Sequence, residues 1–366
     1  MTERSSIVVT YITGSVADHQ RATVADIARQ VAALVGWDFG GEFDIAARYG
    51  GPLYFVPNHT LLTHEARALR IRHHDDLFGG VVPFPFVATK AIVHPLIAPD
   101  ARCPPGWSHD FPERVRNAVL PGYTAFTLQD ARRAAAKLLA LGPIRLKPGH
   151  GIGGRGQRLV SSRSDLESGL RGLTSANLER DGVGIELDLA EATTYSIGQI
   201  RVAGLEASYC GTQSTTTDNT GATAFGGSDI VVVRGGFDAL AELPLESGAH
   251  TAIEQARVFD AATATFAGLF ASRRNYDAVR GRDSAGRWRS GVLEQSWRLG
   301  GASGPEIAAL AALRSDPALR AVRARSVEHY GRTSAPTHAI VHFSGIDSRL
   351  GALTKYTTVE PYEPAR

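Results

Sequence analysis

Lysine is scarce in this chain. Of its 39 Lys and Arg residues only four are lysines, Lys90, Lys137, Lys147 and Lys355. Where any surface cation would serve, the chain uses Arg, so each lysine marks a place to look for a compact ammonium on a flexible stem. Cysteine is scarcer still. Cys103 and Cys210 are too few and too far apart for a disulfide framework or a structural zinc site, and a reducing cytoplasm is expected. Neither charge sign dominates, with 39 basic against 37 acidic residues, so no nucleic-acid partner is expected. Long apolar runs are missing as well. The stretch Ile7–Ile12 falls far short of a signal-peptide core or of the ~20 residues of a membrane span. It reads as a first buried strand, and no membrane partner is expected. His73 and His74 beside Asp75 and Asp76 have no second cluster spaced to join them, which argues against a metal site there.

The 366 residues suggest two or three domains with substantial cores. Early segments alternate strand-like and helical: Ile7–Ile12, Ala17–Val35, Pro52–Val56, Leu61–Leu69 and Gly79–Val82. That order predicts an α/β layer with a parallel sheet. Prolines cluster between Pro83 and Pro121, as in a connection between domains. Beyond it, Thr127 caps a predicted helix to about Leu141, Ile144–Pro148 reads as a strand, and Gln157–Ser161 as its return. Val183–Leu189 is another strand, and β-rich sequence runs from Tyr195 to Val233. A long helix over Ala249–Ser272, a hairpin over Tyr276–Ser296, helical material over Glu306–Tyr330, and an added hairpin from Ala339 to Val359 complete the expectation.

Two constellations carry chemistry. The glycine-rich turn Gly149–Gly156 matches the spacing of a dinucleotide fingerprint, but it leads into the strand-like residues Gln157–Ser161, whereas that fingerprint must open a helix. A phosphate loop of the Walker type also fails, because Lys147 precedes the glycines. What remains is a strand lysine next to a flexible hairpin. That suits either a flap whose N–H groups approach polyphosphate, or a mobile turn with a snorkelling lysine. In the second constellation, Asp277 and Glu294 are equidistant from the centre of a predicted hairpin and therefore face each other. Alternation adds Ser296 and Arg298 to the face of Glu294. Opposed carboxylates repel unless a cation lies between them. Mg²⁺ is one such cation; Arg298 or Arg289 pairing with them is the other.

Strand-Lys-Pro with a glycine flap, a later Glu-x-x-Leu segment, and an Asp…Glu-x-x-x-Arg hairpin together resemble the ATP-grasp superfamily, and a bacterial branch of it in particular. The likeness runs from about Lys90 to Gly304. It implies a multidomain α/β and α+β fold: an N-terminal α/β domain with linker over 1–120, a lid subdomain over 121–189, a large subdomain carrying the metal site over 190–331, and a C-terminal β extension over 332–366. It implies further that Lys90 and Lys147 contact ATP phosphates and that Gly151, Gly153 and Gly154 form the flap. Glu186 to Leu189 would form the hinge along adenine, with Glu191 replacing the usual ribose-gripping acid at Thr194. Asp277, Glu294 and Ser296 would hold Mg²⁺ or Mn²⁺. Ser296 stands where the superfamily usually has Asn. Arg298 would steady the transferred phosphoryl or the acyl phosphate. The Thr-, Asn- and Gly-rich segment Ser208–Gly236, with Arg234 near its end, reads either as a wall of the acceptor pocket or phosphate site or as a polar β-loop. The implied activity is an ADP-forming ligase joining a small-molecule or peptide-like carboxylate to an amine or similar nucleophile. A small-molecule kinase and a non-catalytic nucleotide-binding module are the alternatives, and a homodimer is plausible by the same resemblance.

Overall fold

The computed structural model describes residues 6–149 and 156–363. Near the N-terminus, β1 (Ile7–Tyr11), β2 (Asp38–Glu42) and β3 (Leu53–Pro57) form a parallel sheet in the order β2-β1-β3. Val8 and Val9 are fully buried, as the apolar run requires. The helix Asp18–Val35 crosses this sheet and ends at Gly36 in the left-handed conformation, a stop that glycine adopts without strain. β4 (Leu61–Leu62) and β5 (Gly80–Val82) pair in parallel beside it. Next come β6 (Gly122–Ala125), β7 (Ile144–Pro148), β8 (Arg158–Val160) and β9 (Val183–Leu187), a sheet ordered β6-β9-β7-β8. The helices Leu128–Leu139 and Arg163–Leu170 back it. Ile144, Leu146, Val183 and Ile185 point into that core, so the alternate residues of β7 and β9 face the opposite way. Thr127 caps the first of these helices by accepting the N–H of Asp130 at 3.1 Å.

The largest sheet contains β10 (Ala190–Val202), β11 (Leu205–Thr217), β12 (Thr223–Arg234), β14 (Arg273–Arg282), β15 (Trp288–Ser296), β16 (Ala321–Tyr330), β17 (Ile340–Asp347) and β18 (Gly351–Pro361). The short β13 (Phe270–Ala271) pairs with β5 instead. The order is β15-β14-β10-β11-β12-β16-β18-β17. Period-two alternation divides its buried residues between two cores. Ile197, Cys210 and Tyr276 meet Phe259 and Ile253 of the helix Ser247–Ala262. Ile200, Tyr209, Val232 and Ala324 meet Ile307 and Leu310 of the helix Ser303–Ser315 and Ile27 and Val31 of the first helix. Among the described residues no helix is long and apolar enough to cross a membrane.

Three expectations are corrected. The helix begun at Ser247 stops at Ala262, not Ser272. Thr263 and Thr265 turn their hydroxyls back onto the carbonyls of Asp260 and Ala262, competing with the helical ladder, and Gly268 reverses the chain at φ +84°. Helical structure after Glu306 ends at Ser315. Pro317 disfavours the helical conformation at the residue before it, and Asp316 is extended. The hairpin near the C-terminus is no appendage, because β18 pairs with β16 from Val322–Pro361 to Tyr330–Leu353 and continues the large sheet.

The outer edge of that sheet is tied to the first helix through Asp347, 1% exposed. Its carboxylate accepts the backbone N–H groups of His19, Arg349 and Leu350 at 2.8–2.9 Å, and His19 Nδ1 lies 2.8 Å away. Burial opposes the charge, but these donors outweigh it and hold the carboxyl well below the usual carboxylate range. A depressed folded value means stabilisation that is present above the unfolded value of about 4 and lost as pH falls below it. Asp347→Ala is therefore expected to cost about 2–3 kcal/mol at pH 7. Urea midpoints of variant and wild type should draw together as pH falls from about 4 towards the depressed folded value, and a gap unchanged with pH would refute this reading.

Candidate active site

Asp277 and Glu294 are direct cross-strand partners, as their spacing suggested, but a simple hairpin does not produce the pairing. The turn Asp283–Arg287 is centred on Ala285, one half-step short. It pairs Arg282 with Trp288 and Ala278 with Val292. Asp283 fixes it by accepting the N–H groups of Ala285 and Arg287 and the guanidiniums of Arg287 and Arg289, all at 3.0 Å. A bulge at Leu293 then shifts the register so that Glu294 opposes Asp277 and Ser296 opposes Asn275.

A bulged residue is left out of the ladder, and here that frees the Leu293 carbonyl. Lys147 of β7 donates to it at 2.7 Å and to Glu186 Oε1 of β9 at 3.0 Å. The other Glu186 oxygen lies 2.9 Å from His94 Nε2. Lys147, Glu186 and His94 are each at most 3% exposed. Burial would push the Glu186 carboxyl up, yet Lys147 and His94 beside it hold it below its ordinary value. One buried ammonium thus ties β9 of the small sheet to β15 of the large one.

Lys90 belongs to a short 3₁₀ turn, Lys90–Val93, is itself buried, and makes an ion pair with Glu294. Asp277 accepts Gln213 Nε2 at 3.0 Å. Burial first, and the negative charge of Glu294 second, raise the Asp277 carboxyl to about 7. Nearby Arg298 is half-buried, and desolvation together with the positive charge of Arg273 lowers its affinity for a proton. Asn275 donates to Ser196 Oγ at 2.7 Å.

Lys90, Lys147, Glu186, Asp277 and Glu294 therefore converge on one cleft, with Ser296 and Arg298 continuing the strand of Glu294. Leu189 packs with Leu120, Val279 and Leu293 as an apolar wall. Gly151, Gly153 and Gly154 lie outside the described residues. Two other assignments are corrected. Arg234 lies at the far end of β12, opposite Ala207, while the row of Asp277 crosses β11 and β12 at Gly211 and Ile230. Its guanidinium binds the Leu313 carbonyl, out of reach of the carboxylate pair. Glu191 is largely exposed at a left-handed position and faces Arg282 at 3.4 Å, turned away from the cleft. His94 is the residue that the linear sequence concealed. It lies in a proline-rich connection with no periodicity, and only the packing of its ring over Gly122, where a side chain would meet it at 2.6 Å, puts it beside Glu186.

Mg²⁺ is commonly held by one or two carboxylates, with phosphate oxygens and waters completing its shell. Among the described residues no cluster of three or more His, Cys, Asp and Glu is arranged for a metal. The pair Asp277 and Glu294, mutually repelling and with one carboxyl raised, fits an ion that brings further ligands with its substrate. It does not fit a self-sufficient protein cage.

Comparison with solved structures gives the fold. N5-carboxyaminoimidazole synthetase from Staphylococcus aureus, complexed with ADP, superposes with a TM-score of 0.53 over 97% of this chain and 93% of its own, at 11% identity. Phosphoribosylamine–glycine ligase from Thermotoga maritima gives 0.53 over 97% and 92%, at 13% identity. No curated protein matches the sequence. The chain shares the α/β multidomain fold of these two structures. A family model described as "Protein of unknown function (DUF3182)" matches residues 7–357, and the chain belongs to that family.

Proposed function

We propose that this protein is an ATP- and Mg²⁺-dependent, ADP-forming ligase that activates a carboxylate for attack by an amine or similar nucleophile. The observation that carries this reading is the opposed Asp277–Glu294 pair with two buried lysines converging on it from different parts of the chain. Lys147 and Lys90 would bind phosphate oxygens, exchanging their carboxylate partners for the nucleotide. Glu186 and Leu189 would lie along the adenine. Asp277 and Glu294, with Ser296 next on the strand, would hold the ion. Bound there, Mg²⁺ would neutralise charge developing on the transferred phosphoryl group. Arg298 would steady the same group from the buried end of the strand. The γ-phosphoryl group passes to the carboxylate, ADP leaves, and the nucleophile then displaces phosphate from the acyl carbon. Closing the site between the two sheets would exclude the water that hydrolyses an acyl phosphate.

The test is ADP release from Mg²⁺-ATP in the presence of pools of carboxylates and amines. ADP with phosphate and a condensed product supports the ligase. A stable phosphorylated product, with no condensation when amines are supplied, assigns a kinase. ATP binding without ADP under any acceptor mixture assigns a binding module. Lys147→Ala removes an ammonium worth roughly 2 kcal/mol to a phosphate. ADP affinity, followed by calorimetry, should fall about 10- to 100-fold. Unchanged affinity would remove Lys147 from the site.

A further inference from the structure

Outside the cleft, a cavity of about 570 Å³ opens between the helices Asp110–Val115 and Leu128–Leu139, the β6 edge and the outer strand β15. Its size is that of a small-molecule site. Trp288 and Leu141, 48% and 56% exposed, line it with Tyr123, an unusual amount of apolar surface left open in one place. Its charge is predominantly positive. Arg116, Lys137 and Arg289 line it against the single carboxylate Glu113. Arg116 meets Glu113 at 3.7 Å and Arg289 is held by Asp283. Lys137 lies over the Tyr123 ring at 5.1 Å, with no carboxylate in salt-bridge range among the described residues.

His94, 1% exposed, lines the same cavity. Its Nε2 is engaged with Glu186, while its Nδ1 is buried without a hydrogen-bond partner among the described residues. An unpaired buried polar atom is costly, and here it belongs to the one side chain that both borders the cavity and touches the Glu186–Lys147 pair. Nothing in the proposed ligase chemistry uses it.

We infer that this cavity is a second ligand site, for a small organic anion with a flat apolar body, and that its occupancy is transmitted to the nucleotide cleft through His94 and Glu186. The anion pairs with Lys137 and Arg116, and its apolar body covers Trp288 and Leu141. A polar group on the ligand satisfies the orphaned His94 Nδ1 and strengthens the hold of its Nε2 on Glu186. A Glu186 so engaged holds Lys147 less firmly and leaves its ammonium freer for phosphate. Ligand and nucleotide then bind with positive coupling, which must be reciprocal. The coupling rests on the nucleotide reading of the cleft; the cavity's preference for anions does not.

The experiment uses 8-anilinonaphthalene-1-sulfonate as probe on the full chain. Its fluorescence should report one site, with affinity at least tenfold weaker in the Arg116→Ala/Lys137→Ala double variant, whose replaced side chains are exposed. Benzoate should displace the probe and inorganic phosphate should not, separating an organic anion from free phosphate. Saturating probe should tighten ADP binding at least threefold, and His94→Gln, which keeps a donor for Glu186, should abolish that effect while still binding ADP. Probe binding that ignores Arg116 and Lys137, displacement by phosphate alone, or ADP affinity indifferent to the probe would each overturn the proposal. ADP titrated without the probe checks the nucleotide reading separately: failure there removes the coupling and leaves the cation-dependent probe affinity as the measure of the cavity.

Discussion

Glu294→Gln is expected to lower Mg²⁺-dependent ADP formation roughly 10²- to 10³-fold, the scale on which one preorganised electrostatic contact to developing charge acts, while leaving the protein at least as stable as before. The two halves of this expectation have one cause. Glu294 stands across the ladder from Asp277, and its charge helps raise the Asp277 carboxyl, so the charge that would hold the ion is a strain on the fold. Removing it relieves like-charge repulsion worth up to about 1 kcal/mol. Lys90 loses its ion pair with Glu294 but remains near the charge of Asp277, which it already lowers. The measurement is an ADP-release rate alongside a thermal melt. Activity preserved within threefold would detach Glu294 from catalysis, and a large drop in melting temperature would show that it serves the fold instead.

Glu306→Ala should destabilise the protein by about 3–5 kcal/mol, the cost of stranding a buried charge. Glu306 and Arg273 form a two-pronged pair at 2.7 and 2.8 Å, with Tyr209 donating to the same carboxylate at 2.6 Å. None of the three is more than 1% exposed. Tyr209 reaches Glu306 across Gly198, where any Cβ would lie 2.4 Å from the Tyr209 ring. Arg273 also binds the carbonyls of Ser296 and Arg298. The pair therefore anchors the helix Ser303–Ser315 to the strand end that carries the cleft residues. The double replacement Arg273→Met/Glu306→Leu should recover most of the stability in urea unfolding, because a well-packed apolar pair replaces a desolvated ionic one. ADP formation should stay low in it, since the carbonyls lose their donor. A single-variant loss below about 1 kcal/mol would mean that water reaches the pair.

The cleft is legible in the sequence where chemistry coincides with short range. Asp277 and Glu294 are joined by one hairpin, so counting residues brings them together, even though the true path combines a five-residue turn with a bulge that counting cannot see. Lys147 announces itself by scarcity and by the glycines after it. The parallel β1 and β3 are legible because their residues are mostly apolar, whereas β2, DFGGE, carries two glycines and no apolar alternation and gives no local sign of being a strand. What stays hidden depends on distant partners: His94 and Gln213 acquire meaning only from Glu186 and Asp277, 92 and 64 residues away. Arg234 is misplaced for the same reason, because a polar segment ending in Arg does not disclose which end of a strand faces the cleft. The helix boundaries at Ala262 and Ser315 turn on hydroxyl back-bonding and one proline, local effects that an apolar count over a long window averages away.

The bond from His19 to Asp347 spans 328 residues, and this has a consequence for synthesis. At about 5–20 residues per second, the first helix emerges tens of seconds before the strand that covers part of it. The large sheet is built wholly from residues after 189, so Ile27 and Val31 can pack only on the early sheet of Val8, Tyr54 and Val56 for most of translation. Refolding of the intact chain escapes that delay, and the nascent chain does not.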